Sequence, residues 1–271
     1  MNNSSINKVK KLISRGFFYS IKIELFKILL NKKSANKVFR KLLILILQVA
    51  TKYIKHNYSS LILMHLKNSE SYSQLGQDIF VLNELREKKE GFFIEIGAGN
   101  GLYLSNTYLL EKNFGWTGIL VEPNKSLYNS CMNLRQCITI NQLVLGQNHP
   151  SIKFFEKSVG EFSHSEGYGD ITASEIESTY EVSAIRFEEI FKGLSIVPDI
   201  DFLSIDTEGS EVEILKSIDF SRLKPKIICI EHNYVKSNRI FFKKFLKSKG
   251  YSLVYAGLSQ WDSWFISKNS H

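Results

Sequence analysis

The stretch Glu95-Ile-Gly97-Ala98-Gly99-Asn-Gly101 joins an apolar run, Phe92–Ile96, to a helical pattern. Glycines at such a junction let the backbone turn sharply and let a ligand approach it closely. A second apolar run, Ile119–Val121, ends in Glu122, 25 residues after Gly97. An acid at that place can accept hydrogen bonds from both hydroxyls of a ribose, so the pair of features addresses an adenosine cofactor. Without a ligand, the same residues read as a local cap (Glu95) and a surface acid (Glu122).

The spacing narrows the cofactor. A dinucleotide turn runs G-x-G-x-x-G, and its third glycine position is Leu102 here; the chain has G-x-G-x-G instead. Glu95 stands directly before the turn, where a carboxylate would repel a pyrophosphate and attract an ammonium or sulfonium group. S-adenosylmethionine is therefore expected over NAD, lying across Gly97, Ala98 and Gly99 with its ribose on Glu122. Ser105, Asn106 and Thr107 precede a helix and would either hydrogen-bond the methionyl carboxylate or cap that helix.

A further constellation, Asp206-Thr-Glu208-Gly209-Ser210-Glu211, follows the apolar run Phe202–Ile205, and Glu231-His232 follows Ile227–Ile230. Methyl transfer from a sulfonium is an in-line displacement, which needs an oriented acceptor and, for a hydroxyl, a group to take its proton. Asp206, Glu208 and His232 are the expected catalytic residues, with Asp206 also at the cofactor. His232 could act as general base, ligate a divalent metal with Asp206 and Glu231, or be a hydrogen-bonded loop histidine; no metal is expected. Glu211 reads as an acid of the helix N-terminus. Tyr168, Arg186, Trp261 and Trp264 are candidates for the substrate edge, Trp264 more as core.

The elements that must position these residues alternate. Helical patterns fall at 74–88, from the glycine turn to about 113, from 125, at 186–193, 211–218 and 237–248; strands fall at 92–96, 119–121, 138–145, 181–185, 201–205, 226–230, 251–255 and 264–266. Ser210 and Glu213 have the spacing of a capping box. The segment 147–180 interrupts the rhythm, with an added strand at Ile152–Phe155 and a Gly-, Ser- and His-rich loop at Ser158–Asp170. Alternation of this kind predicts an α/β chain with a parallel sheet.

In this order the chain resembles the FkbM-type methyltransferases. The likeness is carried by Ser73–Asp78, Phe93–Gly101, Leu104–Lys112, Gly115–Asn124 and Ile200–Leu215, with Glu231 and Trp264-Phe265. It covers residues 71–268. It implies a Rossmann-like class I methyltransferase fold: a mostly parallel seven-stranded sheet with helices on both faces. It also implies O-methyl transfer from S-adenosylmethionine to sugar or natural-product hydroxyls, with Gln77 and Asp78 helping to close the cofactor site. Glu95 stands where the family often has Asp, and 147–180 has no counterpart, which leaves acceptor choice open.

Charge separates the chain into two parts. Residues 1–60 carry 13 Lys/Arg and one acid, Glu24, whereas the remainder carries 22 basic and 26 acidic residues. A nucleic-acid-binding body is not expected, because the positive charge is not where the core is. The expected domains are a basic amphipathic helical extension, 1–60, and a methyltransferase domain, 61–271. The extension either packs on protein or lies on an anionic membrane surface through residues 7–55. Its longest apolar run, Leu42–Leu47, is too short to span a bilayer, and no secretory signal pattern is read. Three cysteines without a C-x-x-C fit a cytoplasmic setting, peripheral to the inner membrane face if the extension binds there. The acceptor expected is a glycan or lipid-linked sugar hydroxyl. The rival readings are an RNA methyltransferase and a non-catalytic membrane-surface scaffold.

Overall fold

The computed structural model describes residues 71–157, 163–168 and 176–268, all within one compact unit, Glu70–His271. The expected extension 1–60, its membrane contact and the boundary at 60/61 lie outside the described residues. Among the described residues, no helix is long and apolar enough to cross a membrane.

The chain builds α1 (Gln77–Glu84), β1 (Phe92–Ile96), α2 (Tyr108–Phe114), β2 (Thr117–Val121), α3 (Lys125–Leu134), β3 (Ile138–Ile140), β4 (Leu143–Leu145), β5 (His149–Lys157), β6 (His164–Ser165) and β7 (Ile176–Arg186). A 3-10 turn (Phe187–Phe191), β8 (Phe202–Ile205), α4 (Glu211–Ser217), β9 (Ile227–Glu231), α5 (Lys236–Ser248), β10 (Tyr251–Val254) and β11 (Asp262–Ser267) complete it. Seven strands form one sheet in the order β10-β11-β9-β8-β1-β2-β3. β3, β2, β1, β8 and β9 run parallel, and β11 and β10 add an antiparallel edge. The alternation predicts the parallel sheet, and the resemblance implies its mostly parallel, seven-stranded, Rossmann-like form.

Strand alternation sorts the two faces. Ile94, Ile96, Ile205, Ile228 and Ile230 pack with Phe187, Ile214, Leu215, Phe242 and Leu246 in one buried cluster, which seats the 3-10 turn, α4 and α5 on that side. On the other side Trp264 is fully buried and stacks on Phe80 of α1, ring centroids 4.8 Å apart. Trp264 is thus core, as its apolar neighbours imply. At the N-terminal edge, Asp201 accepts from Lys88 Nζ (2.6 Å), Lys226 Nζ (2.8 Å) and the Phe92 amide (3.0 Å), fastening β1, β8 and β9 at the end away from the ligand edge.

The run 138–145 is two strands rather than one. Asn141 separates them, its Nδ2 donating to the carbonyls of Glu122 (2.8 Å) and Pro123 (3.0 Å). β4 therefore leaves the main sheet and joins a second one, β4-β7-β5-β6. The interrupting segment 147–180 is the bulk of that sheet; the expected strand at 152–155 runs from His149 to Lys157, and His164–Ser165 is a short strand inside the expected loop. Residues 158–162 and 169–170 of that loop lie outside the described residues. The capping box at Ser210 is not formed: Ser210 makes no side-chain cap bond, and Glu213 instead accepts from the Gly146 amide (2.8 Å) and the Tyr168 hydroxyl, pinning the second sheet to α4.

Gly118 in β2 has no room for a side chain, because a Cβ there would lie 2.3 Å from the Phe93 carbonyl oxygen. Gly118→Ala should destabilise the domain by about 1–3 kcal/mol, read as a lowered urea midpoint with an unchanged slope.

Candidate functional site

A cavity of about 400 Å³ opens at the C-terminal edge of β1, β2, β8 and β9, where open α/β sheets bind ligands. Its floor is the glycine turn and Glu122, one side carries Asp206, Glu208 and Glu231, and the second sheet closes it with Phe154, His164 and Ser165. Thus the segment 147–180, which interrupts the helix–strand rhythm, supplies a wall of the site.

The turn is shaped by packing as much as by ligand. Gly97 has φ +81°, and a Cβ on it would lie 1.6 Å from the Asp206 carbonyl oxygen. β1 and β8 therefore converge only because this residue is glycine. Glu122 accepts from the amides of Gly99 (2.8 Å) and Asn124 (2.8 Å), which orients its carboxylate at the cavity.

Glu95 lines the cavity, yet its carboxylate is largely engaged. It accepts from the Asn106 amide (2.7 Å), Ser105 Oγ (3.0 Å) and Thr107 Oγ1 (2.5 Å). Burial raises its pKa, and the positive charge of Arg135 works against that rise. Glu95 thus keeps its place in the cavity wall and, through these bonds, also organises the loop 105–107 beside it. Ser105 and Thr107 are likewise turned into this network and away from any methionyl carboxylate. Asn106 remains available. Its Nδ2 donates to Ser204 Oγ (2.9 Å), while its buried Oδ1, beside the cavity, has no partner.

Arg135, which motif reasoning passes over, is the centre of this layer. Its buried guanidinium donates to Glu111 (2.9 Å), to the Gly101 carbonyl (2.9 Å), to Ser105 Oγ (3.2 Å) and to Thr107 Oγ1 (2.9 Å). A lone Arg at the end of α3 carries no sequence signal of that role.

The carboxylates at the strand ends are a like-charge cluster. Oxygens of Asp206, Glu208 and Glu231 all lie within 4.8 Å of one another. Burial, with the charges of Asp206 and Glu208, holds Glu231 protonated well above the usual carboxylate range, hydrogen-bonded to Asp206. Burial raises Asp206 to about 6 and, helped by the charge of Asp206, raises Glu208 to about 7. Glu208 sits at φ +55°, in the left-handed region, on a turn whose Thr207 and Gly209 amides are held by Glu211 (3.0 and 2.9 Å). These three acids are the described residues spaced to share a cation; His232 is not with them.

Two expected site residues stand elsewhere. His232 does not line the cavity: one residue past Glu231, its Nδ1 accepts from the Tyr234 amide (3.1 Å). Burial, and then Arg239, lowers its pKa. Gln77 also stays outside the lining; it donates to Asp262 Oδ2 (2.8 Å) and accepts from the Leu75 amide (2.8 Å). Asp262, another residue the motifs do not mark, is buried beside Glu231 and raised to about 7 by burial and then by the charge of Asp206. Asp78 is buried and accepts from Ser71 Oγ (2.8 Å) and Ser73 Oγ (2.6 Å), tying down the segment before α1. Arg186 pairs with Glu189 on the surface.

The model of the methyltransferase FkbM domain matches residues 95–253 of this chain. The chain belongs to the FkbM methyltransferase family. Solved structures of similar shape include an FkbM methyltransferase from Methylobacillus flagellatus. That structure is 14% identical, covers 93% of this chain and has a TM-score of 0.45. Others are a precorrin-6y C5,15-methyltransferase from Geobacter metallireducens (16% identity, 65% of this chain and 72% of that one, TM-score 0.36) and a putative RNA methyltransferase from Pyrococcus horikoshii (11%, 80% and 100%, TM-score 0.38). The chain spans 60% of the length of the Methylobacillus structure. A comparison with curated proteins found no match.

The family's cofactor is S-adenosylmethionine, and the residues present fit it. To a cationic group the cavity offers the orphan Asn106 Oδ1, the Glu122 carboxylate and the acidic cluster. Asn106, Glu122 and the backbone of Gly97, Ala98 and Gly99 are the residues that would hold it.

Replacing Arg135 by Met should cost about 3–5 kcal/mol, because Glu95 and Glu111 lose a buried counter-charge. Urea unfolding of Arg135→Met against the parent chain checks this.

Proposed function

We propose that the protein transfers a methyl group from S-adenosylmethionine to a hydroxyl of a glycan or lipid-linked sugar. The observation that carries this reading is the placement of Asp206 and Glu208, half-buried and facing the cofactor cavity with pKa values raised towards neutrality. The cofactor supplies an electrophilic methyl on a sulfonium. The chain orients the acceptor and takes its proton. A carboxylate of ordinary pKa is a poor base, whereas one raised towards neutrality by burial matches proton transfer near pH 7. Asp206, hydrogen-bonded by protonated Glu231, and Glu208 beside it are the groups that receive the hydroxyl proton.

Charge supports a neutral acceptor. Among the described residues that line the cavity none is Lys or Arg, and Asp206, Glu208 and Glu231 crowd one side, with the charge of buried Lys157 reaching Glu208 from behind the lining. A phosphate- or carboxylate-bearing group would be repelled at that wall, whereas a polyol gains hydrogen bonds to carboxylates. The same wall weighs against an RNA acceptor. Intact Glu122, Asn106 and glycine turn weigh against a non-catalytic scaffold.

With the carboxylate form as base, kcat/KM should rise as pH climbs through the range from about 6 to about 7 and then level off. Asp206→Asn should lower kcat by about 100-fold or more. A rate that instead falls with pH in this range contradicts the assignment. For the acceptor, mass spectrometry of envelope glycans with and without this gene should show a methyl lost from one sugar; identical profiles would count against the glycan reading.

A further inference from the structure

Trp261 has the residue type for substrate contact, yet methyl transfer makes no use of it. It precedes β11 and so stands at the ligand edge, because its neighbour Asp262 lies opposite Glu231 in the sheet. Across from it, the turn from β9 to α5 is strained. Asn233 and Tyr234 are successive non-glycine residues in the left-handed region, φ +44° and +59°, and such positions cost about 1–3 kcal/mol each.

The strain is braced from several sides. The Trp261 carbonyl accepts from the amides of His232 (2.8 Å) and Asn233 (3.1 Å), and His232 Nδ1 accepts from the Tyr234 amide (3.1 Å). The result is a Tyr234 that is 66% exposed, its ring set at 64° to the indole of half-buried Trp261 with centroids 6.0 Å apart. The pair is continuous with the site: Trp261 Nε1 donates to Gln74 Oε1 (3.0 Å), and Gln74 lines the cavity. Hydrophobic packing would bury Tyr234; the turn holds it out.

We propose that Tyr234 and Trp261 form a platform for a second pyranose ring of the acceptor, adjoining the ring that is methylated. A pyranose has an apolar face of C–H groups and a rim of hydroxyls. One aromatic face takes the first with the other ring edge-on beside it, and the phenol and Gln74 offer partners to the second. His232 is then a positioning residue, since it braces the turn that presents Tyr234. This rests on the glycan reading and goes beyond it: the preferred acceptor has at least two sugar rings.

The chain has three tryptophans. Trp116 and Trp264 are 2% and 0% exposed, so acrylamide quenching of tryptophan fluorescence reports chiefly on Trp261. The probes are the methyl glycosides of glucose and N-acetylglucosamine, and the matching trisaccharides maltotriose and chitotriose. At least one trisaccharide should shield Trp261 at millimolar concentration, and its monosaccharide should not. Tyr234→Ala should weaken that shielding about two- to tenfold, with affinity for S-adenosylhomocysteine unchanged. Equal shielding by mono- and trisaccharide, full shielding in Tyr234→Ala, or none from any sugar would overturn the platform. Labelled-methyl transfer to an envelope glycan pool separates the two ideas. Absence of transfer in the parent chain sinks the glycan reading itself, whereas equal transfer by the parent and Tyr234→Ala sinks only the platform.

Discussion

Three neighbouring strand ends deliver carboxylates to one small volume, and this crowding governs the site. Asp206 follows β8, Glu231 ends β9, and Asp262 opens β11 opposite Glu231. At low effective dielectric, carboxylates so close cannot all be ionised. Glu231 answers by keeping its proton, and Asp206 and Glu208 by shifting towards neutrality. A site poised in this way favours a cation, which relieves the repulsion, and suits a base that must give up its proton again near pH 7. A sulfonium cofactor and a hydroxyl acceptor meet both conditions.

The scaffold pays for this crowding by tying down everything around it. Asp201 and its two lysines fasten the opposite edge of the same strands. Arg135 and Glu95 hold the loop 105–107, so that Asn106 faces the cavity while its neighbours are consumed. Glu213 and Asn124 anchor the second sheet, through Gly146 and Tyr168 on one side and Glu156 on the other. Asn124 joins floor to wall, because its amide donates to Glu122 and its Nδ2 to Glu156.

What the sequence disclosed follows from what short-range patterns can encode. The β1 turn, Glu122 and Asp206 sit at fixed places relative to apolar runs, so their shared edge was readable. Boundaries were less so: 138–145 reads as one apolar run, and only the Asn141 side chain, bonding back to Glu122 and Pro123, splits it between two sheets. His232 looked catalytic because it adjoins Glu231, but the carboxyl faces the cavity whereas the imidazole braces the next turn. Arg135 and Asp262 act through contacts distant in sequence, which no local spacing announces. Gln77 matched a motif for the cofactor site but stands outside the cavity lining, where it donates to Asp262.

We propose that this cavity binds the methyl donor through Glu122 and the glycine turn. Calorimetric titration with S-adenosylhomocysteine tests it most directly. Binding should be saturable and one-to-one, and weakened by about 10- to 100-fold in Glu122→Ala through loss of charge-assisted hydrogen bonds. No binding at millimolar ligand, or equal binding by the two proteins, would contradict it.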